Sequence, residues 1–322
     1  MRNILLHIGR HKTGTTAIQH FLWDNRSALR ATGWLVPEAG RVNAGHHGFS
    51  QALSPGEIAP DQDLTKIKAL VQLQRELADV DEQTRVVISS EAFQNCRPKD
   101  IGHAFGAYEA RVIVYLRNQL DYLPSAYAQR VHATEYQGTL EDYYHEMFRH
   151  GLDYCAFLHD WQGVFPDGFT VRRYNPASVL DDFCSHGLGV DLTQFTVREG
   201  DSNPSLNSLV TEFKRQLNAL PEEQRLDPAA IYFLLPLLNQ RFPAPRVQVP
   251  RLIADDIIGC CRKPEARVAR RYFDDEALFE YRYSGPDEVP VLDENTYRAM
   301  EALLQELMAA YPTPASTRHA TL

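Results

Sequence analysis

Cysteine is scarce in this chain, with 5 among 322 residues. An odd number without paired spacing excludes a disulfide framework and a cysteine-based zinc site. No pair of histidines at HxxxH spacing has a neighbouring carboxylate, so the sequence predicts no metal site. We expect reduced thiols in the core at all five positions, which are Cys96, Cys155, Cys184, Cys260 and Cys261.

A net positive charge and long apolar runs are also missing. The formal net charge of −9 argues against a general nucleic-acid binder, which needs a basic surface to displace counterions. No apolar run is long enough to span a bilayer. The start, MRNILLHIG, has an apolar stretch too short for a signal peptide, and His7 interrupts it. We therefore predict a cytoplasmic protein without a membrane span.

Short apolar runs alternate with helical patterns, which is typical of an α/β fold with a mainly parallel sheet covered on both faces. An amphipathic pattern predicts one helix over residues 15–33, ending at Gly33, and another over 65–80. From about residue 205 the pattern is mainly helical. We predict a single domain over 1–312 and a disordered tail over 313–322. The predicted strands are residues 3–8, 34–37, 85–90, 110–116 and 169–174.

The segment HIGRHKTGTTAIQ (7–19) follows the first predicted strand. Gly9 and Gly14 have the separation of the two glycines in a Walker A loop, but Thr15 stands where that motif has lysine. The lysine is Lys12, inside the loop. Amides at the start of the next helix can still hold a phosphate. The sequence offers no clear acidic strand end for the magnesium ion of a nucleotide triphosphatase.

This loop resembles the 5′-phosphosulfate loop of sulfotransferases that use 3′-phosphoadenosine 5′-phosphosulfate (PAPS). The resemblance implies that Lys12 contacts the leaving phosphate and the transferring sulfuryl group. It also implies a P-loop-like three-layer fold, PAPS as co-substrate, its desulfated product PAP, and no metal. The remaining cofactor contacts that it implies are Thr13, Gly14, Thr15 and Thr16, with His11 included but without an assigned role.

A second motif of that family is a strand ending in arginine with a serine eight residues later, both binding the 3′-phosphate. Here Arg117 and Ser125 have that spacing. A guanidinium can bind phosphate with two hydrogen bonds. Pro124 suits the first turn of a helix, which predicts Ser125 near free amides and a positive dipole end. The alternative is a surface ion pair for Arg117 and an ordinary helical Ser125.

Sulfuryl transfer needs a base for the acceptor's proton, and two candidates remain open. Glu91 follows the strand at 85–90, at the end where parallel sheets bind ligands. It could equally stand in the first turn of a helix that Ser90 caps. His47, next to His46, has a side chain suited to proton transfer. Both histidines could instead line the acceptor pocket or form a structural pair.

Two further segments carry polar or basic clusters. Residues 197–207 resemble a segment of bacterial members of the family, but we favour Asn203 or Ser205 as a helix cap over a ligand contact for these residues or Asn207. The segment 261–273 gathers basic residues that could hold an anion, although a solvated helix face is the preferred interpretation. Its cations are Arg262, Lys263, Arg267, Arg270 and Arg271.

The sequence thus predicts a PAPS-dependent sulfotransferase of bacterial type, with a small-molecule or glycan acceptor. A carbohydrate or glycolipid hydroxyl is the acceptor that the resemblance favours. A P-loop kinase or nucleotide triphosphatase is one alternative. A non-catalytic nucleotide-binding protein on the same fold is another. The acceptor's identity and the oligomeric state are left open.

Overall fold

The computed structural model describes residues 1–198, 205–227, 231–283 and 291–311. The chain divides into two compact units. The first, here called the sheet unit, comprises Met1–Arg117, Tyr154–Ser202 and Arg271–Asp274. The second, the helical unit, comprises Asn118–Asp153, Asn203–Arg270 and Asp275–Leu322. The expectation of a single domain over 1–312 stays a prediction, and the predicted disordered tail lies outside the described residues.

Five parallel strands form the centre of the sheet unit, in the order β2-β3-β1-β4-β5. All five predicted strands are present, which confirms the predicted α/β class with a central parallel sheet. The strands are β1 (Asn3–His7), β2 (Trp34–Leu35), β3 (Arg85–Ser89), β4 (Glu109–Leu116) and β5 (Phe169–Arg173).

Both faces of the sheet are covered, as a parallel sheet requires. Successive residues of a strand point to opposite faces, and Ile4, Leu5 and Leu6 of β1 are all buried. One face packs against the helices that follow β1 and β5. The helices of the sheet unit are α1 (Thr15–Asp24), α2 (Arg26–Ala31), α3 (His47–Ala52), α4 (Lys68–Leu77), α5 (Pro98–Ala104), α8 (Tyr154–Val164) and α9 (Val179–Asp182).

The predicted single helix over 15–33 is two helices in the structure, separated at Asn25. The buried Asn25 side chain donates to the Phe21 and Thr196 carbonyl oxygens and accepts from the Thr196 N–H. The two bonds to Thr196 tie Asn25 to a distant segment at the point where the first helix ends. The predicted helix over 65–80 is shorter, at Lys68–Leu77, and a 3₁₀ turn at Leu64–Lys66 precedes it.

The described residues from 205 onward form helices without a strand, as the sequence predicts. One isolated bridge joins Asn207 and Arg246. The helices of the helical unit pack around apolar clusters of their own. They are α6 (Gln119–Ala133), α7 (Leu140–Tyr143), α10 (Ser208–Asn218), α11 (Leu235–Arg241) and α13 (Glu294–Ala310), together with most of α12 (Arg251–Tyr272).

One of the five thiols departs from the predicted core placement. Cys96, Cys184 and Cys261 are buried and Cys155 is half-buried, but Cys260 is exposed on α12. It stands beside the ion pair of Arg149 and Asp256. All five cysteines are free in the structure.

Candidate active site

The loop between β1 and α1 has a backbone that only particular residues adopt easily. Gly9 and Gly14 have φ of 48° and 76°, and Lys12 also has a positive φ, of 63°. A Cβ on Gly9 would stand 3.0 Å from the Glu91 backbone, and one on Gly14 would stand 3.0 Å from Tyr174. Both glycines are therefore needed for the left-handed turns and for the close packing of the loop on its neighbours.

The loop's threonines divide into two kinds. Thr13 is fully buried, and its hydroxyl donates to the Arg10 carbonyl oxygen at 2.6 Å. Thr15 is also buried, and its hydroxyl contacts the same oxygen at 3.4 Å. These two side chains close the loop on itself, whereas Thr16 is exposed in the first turn of α1. Of the three predicted phosphate hydroxyls, that of Thr16 is the one that faces outward.

The start of α1 is open to an anion. Its N-cap residue is Gly14, no side chain caps the helix, and its first turn contains no acidic residue. The first amides of a helix lack intrahelical partners and carry the positive end of the dipole. Together with the loop, they form the kind of cradle that holds a phosphate or sulfate group.

Two cations flank this cradle. Arg117 follows β4, and its Nη1 donates to the Lys12 carbonyl oxygen at 2.7 Å. The same guanidinium stands 5.5 Å from the centre of the Tyr174 ring. Burial and then the Arg117 charge lower the pKa of Lys12 to about 8, while Glu91 opposes that decrease. Burial and the neighbouring Arg117 thus disfavour the charged form of Lys12, and a bound anion would stabilise that form.

His11 adjoins the same group of charges. Desolvation lowers its pKa, Glu91 opposes that change, and the charges of Arg10, Lys12 and His47 add to the decrease. His11 therefore lies within electrostatic range of Lys12 and of both predicted bases. The structure thus brings these residues together at one end of the sheet.

Glu91 begins a 3₁₀ helix, Glu91–Asn95, directly after β3. Its Oε2 accepts a hydrogen bond from Nε2 of Gln19, at 2.8 Å. Gln19 is a buried residue of α1 that the sequence analysis missed. A polar residue between the buried Ile18 and Phe21 was the one signal that could have indicated it.

The two adjacent histidines are held differently. The buried His46 uses both ring nitrogens, because Nδ1 accepts from the Ser89 N–H at 3.1 Å and Nε2 lies 2.9 Å from the Pro37 carbonyl oxygen. His47 is half-buried, and its Nδ1 lies 2.9 Å from the hydroxyl of Ser90. Both ring nitrogens of His46 are thus in hydrogen bonds within the fold, whereas His47 makes one such contact, through Nδ1.

Ser90 does not cap the 3₁₀ helix with its side chain. Its hydroxyl instead contacts His47 and, at 2.9 Å, the hydroxyl of Ser50. The alternative in which Ser90 serves as a helix cap is therefore wrong for its side chain. The adjoining Ser89 has a similar position toward the buried His7, with its hydroxyl 2.8 Å from the His7 Nδ1.

The position predicted for Ser125 near a helix start is wrong. Helix α6 begins at Gln119, with Asn118 as its cap, so Pro124 and Ser125 lie inside it. The Ser125 hydroxyl is 3.3 Å from that of Ser205. Its contact with a 3′-phosphate stays a prediction.

The described residues of the two further segments are a helix cap and a set of exposed cations. Asn207 is the cap of α10, because its side chain accepts from the Val210 N–H at 2.9 Å. The capping role predicted for Ser205 therefore belongs to Asn207, and Asn203 lies outside the described residues. The five cations of 261–273 are exposed, as expected of a solvated helix face.

Within the described ranges, no cluster of three or more histidine, cysteine or acidic side chains is placed to hold a metal ion. In the same part of the chain, no helix is both long and apolar enough to cross a membrane.

Comparison with known proteins identifies no family by sequence. No protein-family profile matches the chain. A relative in Archaeoglobus fulgidus, described as an uncharacterized protein, is 30% identical over 152 residues, which is 44% of this chain. That match covers 40% of the relative's length. Among solved structures, the chain resembles a sulfotransferase from Alicyclobacillus acidocaldarius, with a TM-score of 0.48 and 17% identity over 84% of this chain and 95% of the other.

Proposed function

We propose that this protein transfers the sulfuryl group of PAPS to a hydroxyl group of an acceptor. The observation that carries the proposal is the arrangement of Lys12 and Arg117 beside the uncapped start of α1, with Glu91 and His47 within reach. Cations and helix amides suit an anionic donor, and a nearby base suits a hydroxyl acceptor. The loop motif HKTGTT, which resembles that of PAPS-dependent enzymes, supports PAPS as the donor.

The chemistry requires charge stabilisation and positioning. During sulfuryl transfer the acceptor oxygen, the sulfur and the leaving oxygen must lie in line, and negative charge builds on the leaving phosphate. Lys12 would stabilise that charge. Its positive φ and the hydrogen bond from Arg117 to its carbonyl oxygen support this role by holding its backbone in the loop. Arg117 would hold the nucleotide's phosphate at the end of β4.

For the acceptor we propose a carbohydrate or glycolipid hydroxyl, because the HKTGTT loop resembles that of bacterial sulfotransferases. We also propose a cytoplasmic location. A metal-dependent P-loop kinase and a non-catalytic nucleotide-binding protein are the competing functions. Magnesium dependence separates the first from a sulfotransferase, and turnover separates the second.

Thermal unfolding with added nucleotides tests the donor class. PAP without magnesium should raise the melting temperature, because a ligand at about a hundredfold excess over its Kd contributes about 2.7 kcal/mol. Adenosine 5′-monophosphate, which lacks the 3′-phosphate, is the matched control ligand and should stabilise less. Stronger stabilisation by ATP with magnesium than by PAP would favour a kinase instead.

A further inference from the structure

We propose that Ser50 and Ser90 form a two-hydroxyl relay that holds His47 with its proton on Nδ1, leaving Nε2 to accept the acceptor's proton. The relay itself follows from hydrogen-bond geometry. Its role in proton transfer rests on the proposed function. Ser50 and Ser90 act through His47 and are therefore positioning residues.

The direction of the hydrogen bonds in the relay follows from the protons available to its three contacts. The Ser50 hydroxyl lies 3.0 Å from the His47 carbonyl oxygen and 2.9 Å from the Ser90 hydroxyl, which lies 2.9 Å from the His47 Nδ1. Each hydroxyl has one proton to donate. A carbonyl oxygen can only accept, so Ser50 donates to it and must accept from Ser90. Ser90 has then used its proton and accepts from Nδ1–H.

The opposite direction would leave a bond unmade. If Ser90 donated to Nδ1, Ser50 would have to donate to Ser90, and its own hydrogen bond to the His47 carbonyl oxygen would be lost. Ser50 and Ser90 are both fully buried. The direction with three hydrogen bonds is therefore favoured over the direction with two, by the roughly 0.5–1.5 kcal/mol that one hydrogen bond contributes.

The other nitrogen of His47 lies near the side chain of Gln19. A Cβ on Gly45 would stand 2.6 Å from the His47 Nε2 and 2.8 Å from the Gln19 Nε2, so the two groups converge on one point. Gln19 in turn holds Glu91. The His47 Nε2 has no hydrogen bond to any residue in the described part of the chain, and its lone pair is available there.

His46 provides the internal contrast. The Ser89 N–H donates to its Nδ1, which requires the proton on Nε2, and Nε2 donates to the Pro37 carbonyl oxygen. The neighbouring histidines are thus fixed as opposite tautomers. The titratable groups that interact electrostatically with His47 are His46 beside it and His11 from the loop, and Glu91 and Lys12 in turn interact with His11.

In the sulfuryl transfer that this arrangement serves, the acceptor oxygen forms a bond to sulfur and gives its proton to Nε2 of His47. The bond from sulfur to the phosphate oxygen breaks. The electron pair leaves with the phosphate, near Lys12. His47 then carries a positive charge, and its Nδ1–H bond to Ser90 is strengthened because the donor has become charged.

Nitrogen-15 NMR of the protein labelled at histidine tests the relay without any substrate. The His47 signal is assigned by its loss in His47→Gln. We expect a protonated Nδ1 and a bare Nε2 in the neutral ring, and loss of this fixed state in Ser90→Ala. Ser54→Ala is the matched control, because that hydroxyl donates to the Ser50 carbonyl oxygen at 2.9 Å, outside the relay. A neutral His47 protonated on Nε2 in the wild-type protein would overturn the relay.

Turnover tests the role of Nε2. With PAP affinity retained, we expect His47→Gln to lose about 10²–10⁴ in kcat. Ser90→Ala should lose about tenfold, the equivalent of one hydrogen bond, with KM unchanged. A severe Glu91→Gln variant beside a mild His47→Gln variant would assign the base to Glu91 and overturn this role. Wild-type protein without turnover would refute the proposed function and the proton-accepting role, while the NMR result would still decide the relay.

Discussion

Replacing Gly45 by alanine should displace the proposed base without unfolding the protein. The new Cβ would stand 2.6 Å from the His47 Nε2 and 2.8 Å from the Gln19 Nε2, whereas ordinary contact begins at 3.4 Å. One or both side chains must therefore move. Restoring ordinary contact between the new Cβ and the His47 Nε2 requires a shift of about 0.8 Å. Gly45 is not among the residues with positive φ, so its backbone accepts alanine.

A misplacement of about 1 Å at a reacting group can cost about 10²-fold in rate. We therefore expect Gly45→Ala to lower kcat for sulfuryl transfer by roughly that factor. The free energy of unfolding should change by no more than about 1 kcal/mol, because the crowded atoms are the ends of side chains. Steady-state kinetics and denaturant unfolding measure the two quantities.

Gly163→Ala is the control for this experiment. Gly163 lies in α8, and a Cβ there would meet nothing within 4 Å. It should leave kcat unchanged. If Gly45→Ala kept full turnover while its NMR spectrum showed His47 displaced, the placement of the base at this point would be refuted.

Two further predictions concern pH. Burial and Arg117 lower the pKa of Lys12 to about 8, so PAP affinity measured by calorimetry should fall as pH rises through about 8, where the amine loses its charge. Lys12→Arg, which stays charged, should remove that decrease, and a flat wild-type profile would contradict the contact. Burial also lowers the pKa of His46 from 6.5 to about 4, so its contribution to stability is present above pH 6.5 and is lost as pH falls toward 4. The destabilisation caused by His46→Gln in denaturant unfolding should shrink over that range by up to roughly 3 kcal/mol, and a constant difference would show that His46 is protonated in the native state.

The sequence predicts the sheet well because strand burial is a local signal. All residues of β1 and β3 after the first are buried, and each strand is a short continuous apolar run apart from its first and last positions. The break at Asn25 could not be predicted, since it depends on hydrogen bonds to Thr196. Pro124 was misleading for a related reason, because proline normally marks a first turn but here lies inside α6.

The candidate site was predicted residue by residue but not as a network. The loop motif identified Lys12, and the strand ends identified Glu91 and Arg117. Neither Gln19, which contacts Glu91, nor Ser50, which contacts Ser90, was predicted. Gln19 and Glu91 are 72 positions apart, and Ser50 and Ser90 are 40 apart, so only the folded sheet unit brings each pair together.

The measurement that tests the central claim most directly is transfer of labelled sulfuryl from PAPS to a panel of glycan and glycolipid acceptors, with a chelator present. We predict labelled product with the wild-type protein and a loss of about 10²–10³ in rate with Lys12→Ala, because that charge acts on the leaving group. PAP binding without transfer to any acceptor would contradict the claim and leave a non-catalytic nucleotide-binding protein. Phosphoryl transfer from ATP that requires magnesium would contradict it in favour of a kinase.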